Sequence, residues 1–160
     1  MTAATSPEAR LAELGITLPD VAAPVAAYQP AVRSGSYVYT AGQLPFSGGA
    51  LPTTGKVGER DGLVPPDVAQ DLARTCALNA LAAVRSLTGS LDAVARVVKV
   101  VGFVASDPSF TGQPGVVNGA STLLGEVFGD AGVHARSAVG VAVLPLDAPV
   151  EVELIVELAP

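Results

Sequence analysis

The chain has 160 residues with nine basic and 15 acidic side chains, a formal net charge of −6. It therefore has the length of one domain and lacks the basic excess that binds nucleic acid. With one cysteine and one histidine, a disulfide framework is excluded, and a zinc site, a Ser-His-Asp triad or a Cys-His dyad would depend on His134 without a supporting cluster. No apolar run reaches the roughly 20 residues of a membrane span, and Met1 to Ala12 lack a signal-peptide pattern. We expect a cytoplasmic protein with no membrane or nucleic-acid partner.

The composition also predicts self-association. Hydrophobic residues make up 49% of the chain and charged residues only 15%. So few charges do not cover the surface of a monomer comfortably, which favours a symmetric homo-oligomer that buries apolar surface between subunits.

The chain begins with a short predicted helix. Ser6 is suited to cap it, Pro7 to occupy its first position and Gly15 to end it. We interpret residues 1–24 as a helix and loop extension that packs on the main body, and residues 25–160 as a single domain.

Strands and one long helix follow. Strands are predicted at residues 31–33 and 36–41, and Gly42 then indicates close approach of the backbone to a neighbouring strand or a ligand. Apolar residues recur every three or four positions between residues 68 and 87, which predicts a helix that starts near residues 65–67, runs to residues 88–89 and packs one face on a sheet. Cys76 lies in that stripe and is predicted to be a core thiol.

A valine-rich strand is predicted at residues 95–105 and a second helix at about residues 115–129. Asn118 lies in the first turns of this helix, where its amide serves either a site or a partial cap. The predicted class is α+β: one mixed sheet with two helices packed on one face. The other face would meet another subunit.

Arg136 is the strongest candidate functional residue. It precedes the apolar run 138–144, predicted to be a buried strand, and its planar guanidinium suits a carboxylate held by two hydrogen bonds. The residues alone leave open a structural ion pair with a glutamate. Residues 150–158 alternate as a half-buried strand, and the turn residues 146–149 predict a hairpin that brings Arg136 close to Glu151.

Several segments together resemble the YjgF/RidA family, also called endoribonuclease L-PSP, from about residue 28 to 158. The similarity lies in residues 40–45, 96–104, 117–118, 135–139 and 150–153. The resemblance implies a chorismate-mutase-like fold and a barrel-like homotrimer with three clefts between subunits. The N-terminal extension is similar to that of a longer subgroup.

The resemblance implies a hydrolase, an imine deaminase. Such enzymes convert reactive enamine and imine acids of the 2-aminoacrylate type to 2-keto acids and ammonia, with no cofactor and no metal. Arg136 matches the residue that grips the substrate carboxylate, and Glu151 the residue that positions water. Tyr28, Gly42 and Asn118 match substrate-binding positions of the cleft.

Two departures from the family pattern bear on the substrate. Ala138 stands where many deaminases have cysteine, and Ala41 where they often have serine. Two alternatives stay open: non-catalytic binding or sensing of a small carboxylate, and an endoribonuclease, which the acidic charge disfavours. His134 either lies at the cleft rim or is a loop histidine bonded to backbone.

Overall fold

A computed structural model describes residues 6–21 and 27–160. Three helices and five strands form the fold, in the order α1 (Pro7–Glu13), β1 (Ala31–Ser34), β2 (Tyr37–Thr40), α2 (Pro66–Thr88), β3 (Val94–Ala105), α3 (Gln113–Phe128), β4 (Ala135–Val141) and β5 (Val150–Leu158). The predicted α+β class and the predicted mixed sheet are confirmed. The predicted boundary between residues 24 and 25 lies outside the described residues.

The five strands form one sheet in the order β1-β2-β5-β3-β4. Neighbouring strands are antiparallel except β3 and β4, which are parallel. Helix α2 packs on β1, β2 and β5, and α3 packs on β3 and β4. The core lies between the sheet and these two helices, and the buried thiol of Cys76 belongs to it, as predicted. Burial raises the pKa of this thiol.

The predicted hairpin of the last two strands is wrong. Strand β3 lies between β4 and β5 and pairs with both. The segment β3-α3-β4 is a parallel pair joined by a helix, the crossover that parallel strands require. Residues 142–149 therefore form a connection across the end of β3, with a short 3-10 turn at Pro145–Asp147.

The N-terminal helix α1 docks on the rest of the fold, as predicted. The Ser6 side chain accepts a hydrogen bond from the Ala9 N–H, and Pro7 occupies the first turn. Leu11 is buried, and α1 contacts α3. The Glu8 carboxylate accepts a hydrogen bond from the Leu91 N–H (2.9 Å), which ties the helix to the turn that follows α2.

The sheet face opposite α2 and α3 is open. Tyr37, Tyr39 and Val139 are exposed there, and Glu151 and Glu153 of β5 lie on the same face. No described helix covers it. Exposed apolar patches often mark sites of protein–protein contact. We therefore still expect this sheet face to be buried against another copy of the chain.

Helices α2 and α3 approach closely at Gly119. A methyl group on this glycine would overlap the backbone carbonyl of Gln70 in α2. We therefore expect Gly119→Ala to lower the free energy of unfolding by about 1–3 kcal/mol through overpacking, measured by urea denaturation. Gly125 lies in the same helix, and a methyl group there would meet no atom within 4 Å, so Gly125→Ala should stabilise by about 0.5–1 kcal/mol. Stabilisation by both variants would contradict the close approach.

Candidate functional site

Arg136 lies on the edge strand β4 and points to the helix-covered side of the sheet. Its Nη1 donates to Oδ1 of Asn118 (2.8 Å) and to Oγ of Ser121 (3.2 Å), and its Nη2 donates to the carbonyl of Pro114 (3.2 Å). All three acceptors belong to α3. Helix α3 therefore fixes the guanidinium of Arg136 on the neighbouring strand and brings together Asn118 and Arg136, two of the candidate site residues.

The three acceptors are neutral. The ion pairs among the described residues do not include Arg136, so the structural ion pair left open by the sequence is not formed within the described part of the chain. Three of the five guanidinium N–H groups are used. The Nε–H and one Nη2–H remain, and these two nitrogens share one edge of the guanidinium, which suits the two oxygens of a carboxylate. The positive charge, the Nε–H and the second Nη2–H have no partner among the described residues and are available to an external anion.

Glu151 lies on β5 and points to the open face of the sheet. Gln43 and Val152 exchange backbone hydrogen bonds (2.8 and 3.1 Å), which holds Gly42 beside Glu151. A methyl group on Gly42 would overlap Oε1 of Glu151. The carboxylate therefore rests against the Gly42 backbone, and the close approach predicted at this glycine is confirmed.

Burial raises the pKa of the Glu151 carboxyl, and the negative charge of Glu153 adds a smaller increase. Both effects disfavour the ionised form. Such a carboxyl keeps its proton to higher pH than an exposed glutamate. A pKa raised toward neutral pH suits a group that accepts and donates protons as a general acid–base catalyst.

We expect Glu153→Gln to lower the pKa of Glu151, because it removes the neighbouring negative charge. A titration of the Glu151 side-chain carboxyl by 13C NMR measures this directly. Glu157→Gln is the matched control, since Glu157 shares the strand and the face but lies about 20 Å along the strand from Glu151. An unchanged midpoint in Glu153→Gln would show that the charge of Glu153 does not reach Glu151.

Arg136 and Glu151 do not meet within one chain, which corrects the expected contact across a hairpin. Arg136 pairs with Val100 of β3, whereas Glu151 pairs with Phe103. The two Cα atoms are thus two strands and three residues apart, about 14 Å from standard sheet spacings. Their side chains also point to opposite faces of the sheet. We call the surroundings of Arg136 the arginine half-site and those of Glu151 the glutamate half-site.

Of the remaining predicted residues, Tyr28 is exposed just before β1, and no hydrogen bond among the described residues links it to either half-site. Ala138 follows Arg136 on the same side of β4 and packs against the core. Ala41 lies next to Gly42, and its N–H donates to the carbonyl of Pro30 (2.8 Å).

Sequence reasoning missed Ser121, which contacts both Arg136 and His134. Ser121 follows Asn118 by three residues, and this spacing, which places two side chains on one face of a helix, could have indicated it. His134 contacts the Gly132 carbonyl through Nδ1 (2.6 Å), which confirms a loop histidine bonded to backbone. Its second contact places it behind the arginine half-site.

The described residues offer neither a metal centre nor a membrane span. They include no cluster of three or more His, Cys, Asp or Glu side chains arranged to hold a metal ion. None of their helices is both long and apolar enough to cross a membrane.

A family model described as "YjgF/chorismate_mutase-like, putative endoribonuclease" matches residues 8–158. The chain belongs to this YjgF family. The resemblance seen in the sequence and the chorismate-mutase-like fold are thereby confirmed. Protein TCP17 of Trypanosoma cruzi is 47% identical over 153 residues, which cover 94% of this chain and 92% of that protein.

Solved structures of YjgF proteins and their relatives match over most of the chain. An Agrobacterium tumefaciens protein of unknown function is 45% identical with a TM-score of 0.85, over 96% of this chain and 92% of that one. Escherichia coli TdcF with bound serine is 26% identical with a TM-score of 0.64, over 89% of this chain and 96% of that one. A related fold thus binds a small molecule that carries a carboxylate.

Proposed function

We propose that this YjgF protein is a deaminase that hydrolyses 2-imino acids and their enamine tautomers. Water adds to the carbon of the C=N bond, ammonia leaves, and a 2-keto acid remains. The observation that supports this most directly is the guanidinium of Arg136, which is fixed by three neutral acceptors, while its Nε–H and one Nη2–H have no partner among the described residues. These two N–H groups can anchor a substrate carboxylate.

The reaction asks little of the protein beyond position and proton transfer. A protonated imine is already electrophilic, so no cofactor is required. Arg136 anchors the carboxylate, and Asn118 holds the arginine in place. Glu151 accepts a proton from the attacking water and returns it to the departing nitrogen, a role that its raised pKa favours. Gly42 leaves room for the carboxylate of Glu151, because it has no side chain. We assign Tyr28 to the wall of the same cleft.

The cleft requires residues from two chains under this proposal. Arg136 and Glu151 point to opposite faces of one sheet, so one chain supplies the arginine half-site and a neighbour supplies the glutamate half-site. Such a heterologous contact closes into a ring when the rotation between subunits allows it. The exposed side chains of Tyr37, Tyr39 and Val139 and the apolar composition support contact between copies, and the proposal includes a homotrimer with three clefts that works in the cytoplasm.

A binding or sensing protein is the second candidate, and it is favoured by one observation. The arginine half-site alone suffices to hold a carboxylate, and the TdcF structure contains serine. A binder needs Arg136 and not Glu151. An endoribonuclease, which the family description names, is disfavoured by the net charge of −6.

The test is release of 2-keto acid from imines that an amino-acid oxidase generates in the same vessel, under conditions in which free imine hydrolyses slowly. Imines with small, aliphatic and aromatic side chains should be compared. We expect the protein to accelerate release with at least one of them. Binding of 2-keto acids without acceleration would favour the sensing protein, and salt-sensitive RNA binding would favour the nuclease.

A further inference from the structure

Behind Arg136, a chain of hydrogen bonds runs through Ser121 and His134 to the backbone. Arg136 Nη1 and Ser121 Oγ are 3.2 Å apart, Ser121 Oγ and His134 Nε2 are 2.9 Å apart, and His134 Nδ1 and the Gly132 carbonyl are 2.6 Å apart. Neither Ser121 nor His134 belongs to the residues assigned above to the cleft.

The groups at the two ends of this series of hydrogen bonds determine which atom donates in each of them. A carbonyl oxygen can only accept, so His134 carries its proton on Nδ1 and donates to Gly132. In the neutral ring Nε2 is then an acceptor, and the Ser121 hydroxyl donates to it. The lone pairs of Ser121 are left for the guanidinium, which can only donate.

We infer that Ser121 and His134 are positioning residues for Arg136, with the His134 ring orienting the Ser121 hydroxyl so that it accepts from the guanidinium. Without the imidazole acceptor, this hydroxyl would rotate freely and its proton could face Arg136. The arrangement commits one Nη1–H to helix α3 and thereby helps to hold the guanidinium so that its Nε–H and free Nη2–H are left for the ligand. Groups held in this way lose less freedom when a ligand binds.

This inference rests on the proposed function, in which Arg136 grips the same carboxylate before and during the reaction. Loss of a positioning residue should therefore raise KM, and the Kd for pyruvate as a keto-acid probe, while kcat stays within about twofold. For Ser121→Ala we expect a rise in both constants of roughly three- to tenfold, the effect of one ordinary hydrogen bond.

The chain offers matched controls. Thr122→Ala removes a hydroxyl from the next residue of the same helix, which is exposed, and should leave KM unchanged. Ser121→Thr keeps the hydroxyl and should restore most of the affinity. His134→Gln keeps an acceptor where Nε2 lies, whereas His134→Asn mimics only Nδ1. The glutamine variant should therefore stay near wild type, and the asparagine variant should behave like Ser121→Ala.

A second measurement does not depend on turnover. Because His134 is the only histidine, a long-range 1H–15N NMR spectrum at a pH where the ring is neutral reports its tautomer without assignment. We expect the Nδ1–H form. The Nε2–H form, or a Ser121→Ala variant with wild-type KM and Kd, would overturn the inference. A wild-type protein that neither binds pyruvate nor hydrolyses imines would overturn the proposed function. The tautomer of His134 would still show whether the hydrogen bonds from Gly132 to Ser121 run in the inferred direction.

Discussion

Replacing Arg136 with alanine is expected to lower kcat/KM for a 2-imino acid by roughly 30-fold to several thousand-fold, equivalent to about 2–5 kcal/mol. The variant loses both hydrogen bonds to the substrate carboxylate and the positive charge that balances it. The acceptors that now hold the guanidinium are neutral, so no uncompensated charge stays behind in the described residues. The fold should therefore tolerate the change, with a melting temperature near that of the wild type.

Two variants show whether the loss of kcat/KM comes from the paired N–H donors of the Arg136 guanidinium. Arg136→Lys keeps the charge but cannot offer two parallel donors, and it should recover only a small part of the activity. Arg33→Ala removes an exposed arginine from β1 at the far end of the sheet, where the side chain donates to the Gly35 carbonyl, and should be neutral. Equal activity of Arg136→Ala and wild type would show that Arg136 does not bind the substrate carboxylate.

Replacing Glu151 with glutamine is expected to lower kcat by about 100- to 10,000-fold, the usual contribution of a positioned proton-transfer group. Affinity for pyruvate should stay near the wild-type value, because Arg136 is intact. Loss of turnover with binding retained identifies an enzyme. Retained turnover would show that Glu151 does not transfer the proton.

The same substitution should stabilise the protein at neutral pH. The folded chain holds the Glu151 proton more tightly than the unfolded chain, because burial and Glu153 raise its folded pKa. Unfolding free energy therefore falls as pH rises from the unfolded pKa through the folded pKa. Glu151→Gln removes this cost, so its advantage in urea denaturation should be present at pH 7 and vanish at low pH, where both states are protonated.

Local sequence patterns predicted most of the elements. The spacing of apolar residues between 66 and 88 located α2, and strict alternation between 150 and 158 located β5, because each pattern reflects burial on one face of a single element. The position of β4 beside β3 was not predictable in this way. It depends on long-range pairing, and turn-forming residues at 146–149 suggested a local hairpin instead.

The candidate site was also predicted only as far as local patterns and the family resemblance reach. The chemistry of Arg136 and the resemblance to a known family indicated a carboxylate anchor, and the resemblance also implied Asn118 as a residue of the cleft. Reasoning from the residues placed Glu151 close to Arg136 through the mistaken hairpin, whereas the resemblance placed both residues in a cleft between subunits. Their partners on β3, Val100 and Phe103, are three residues apart, so the two side chains face opposite sides of the sheet. Under the proposed function, their cooperation requires a second chain.

The most direct test of a site shared between subunits combines two inactive variants in one oligomer. Arg136→Ala chains with one tag and Glu151→Gln chains with another are co-expressed, and mixed trimers are isolated through both tags. If each cleft takes Arg136 from one chain and Glu151 from its neighbour, every mixed trimer has one intact cleft and about one third of the wild-type activity. Mixed trimers no more active than their parents would contradict a site built from two chains.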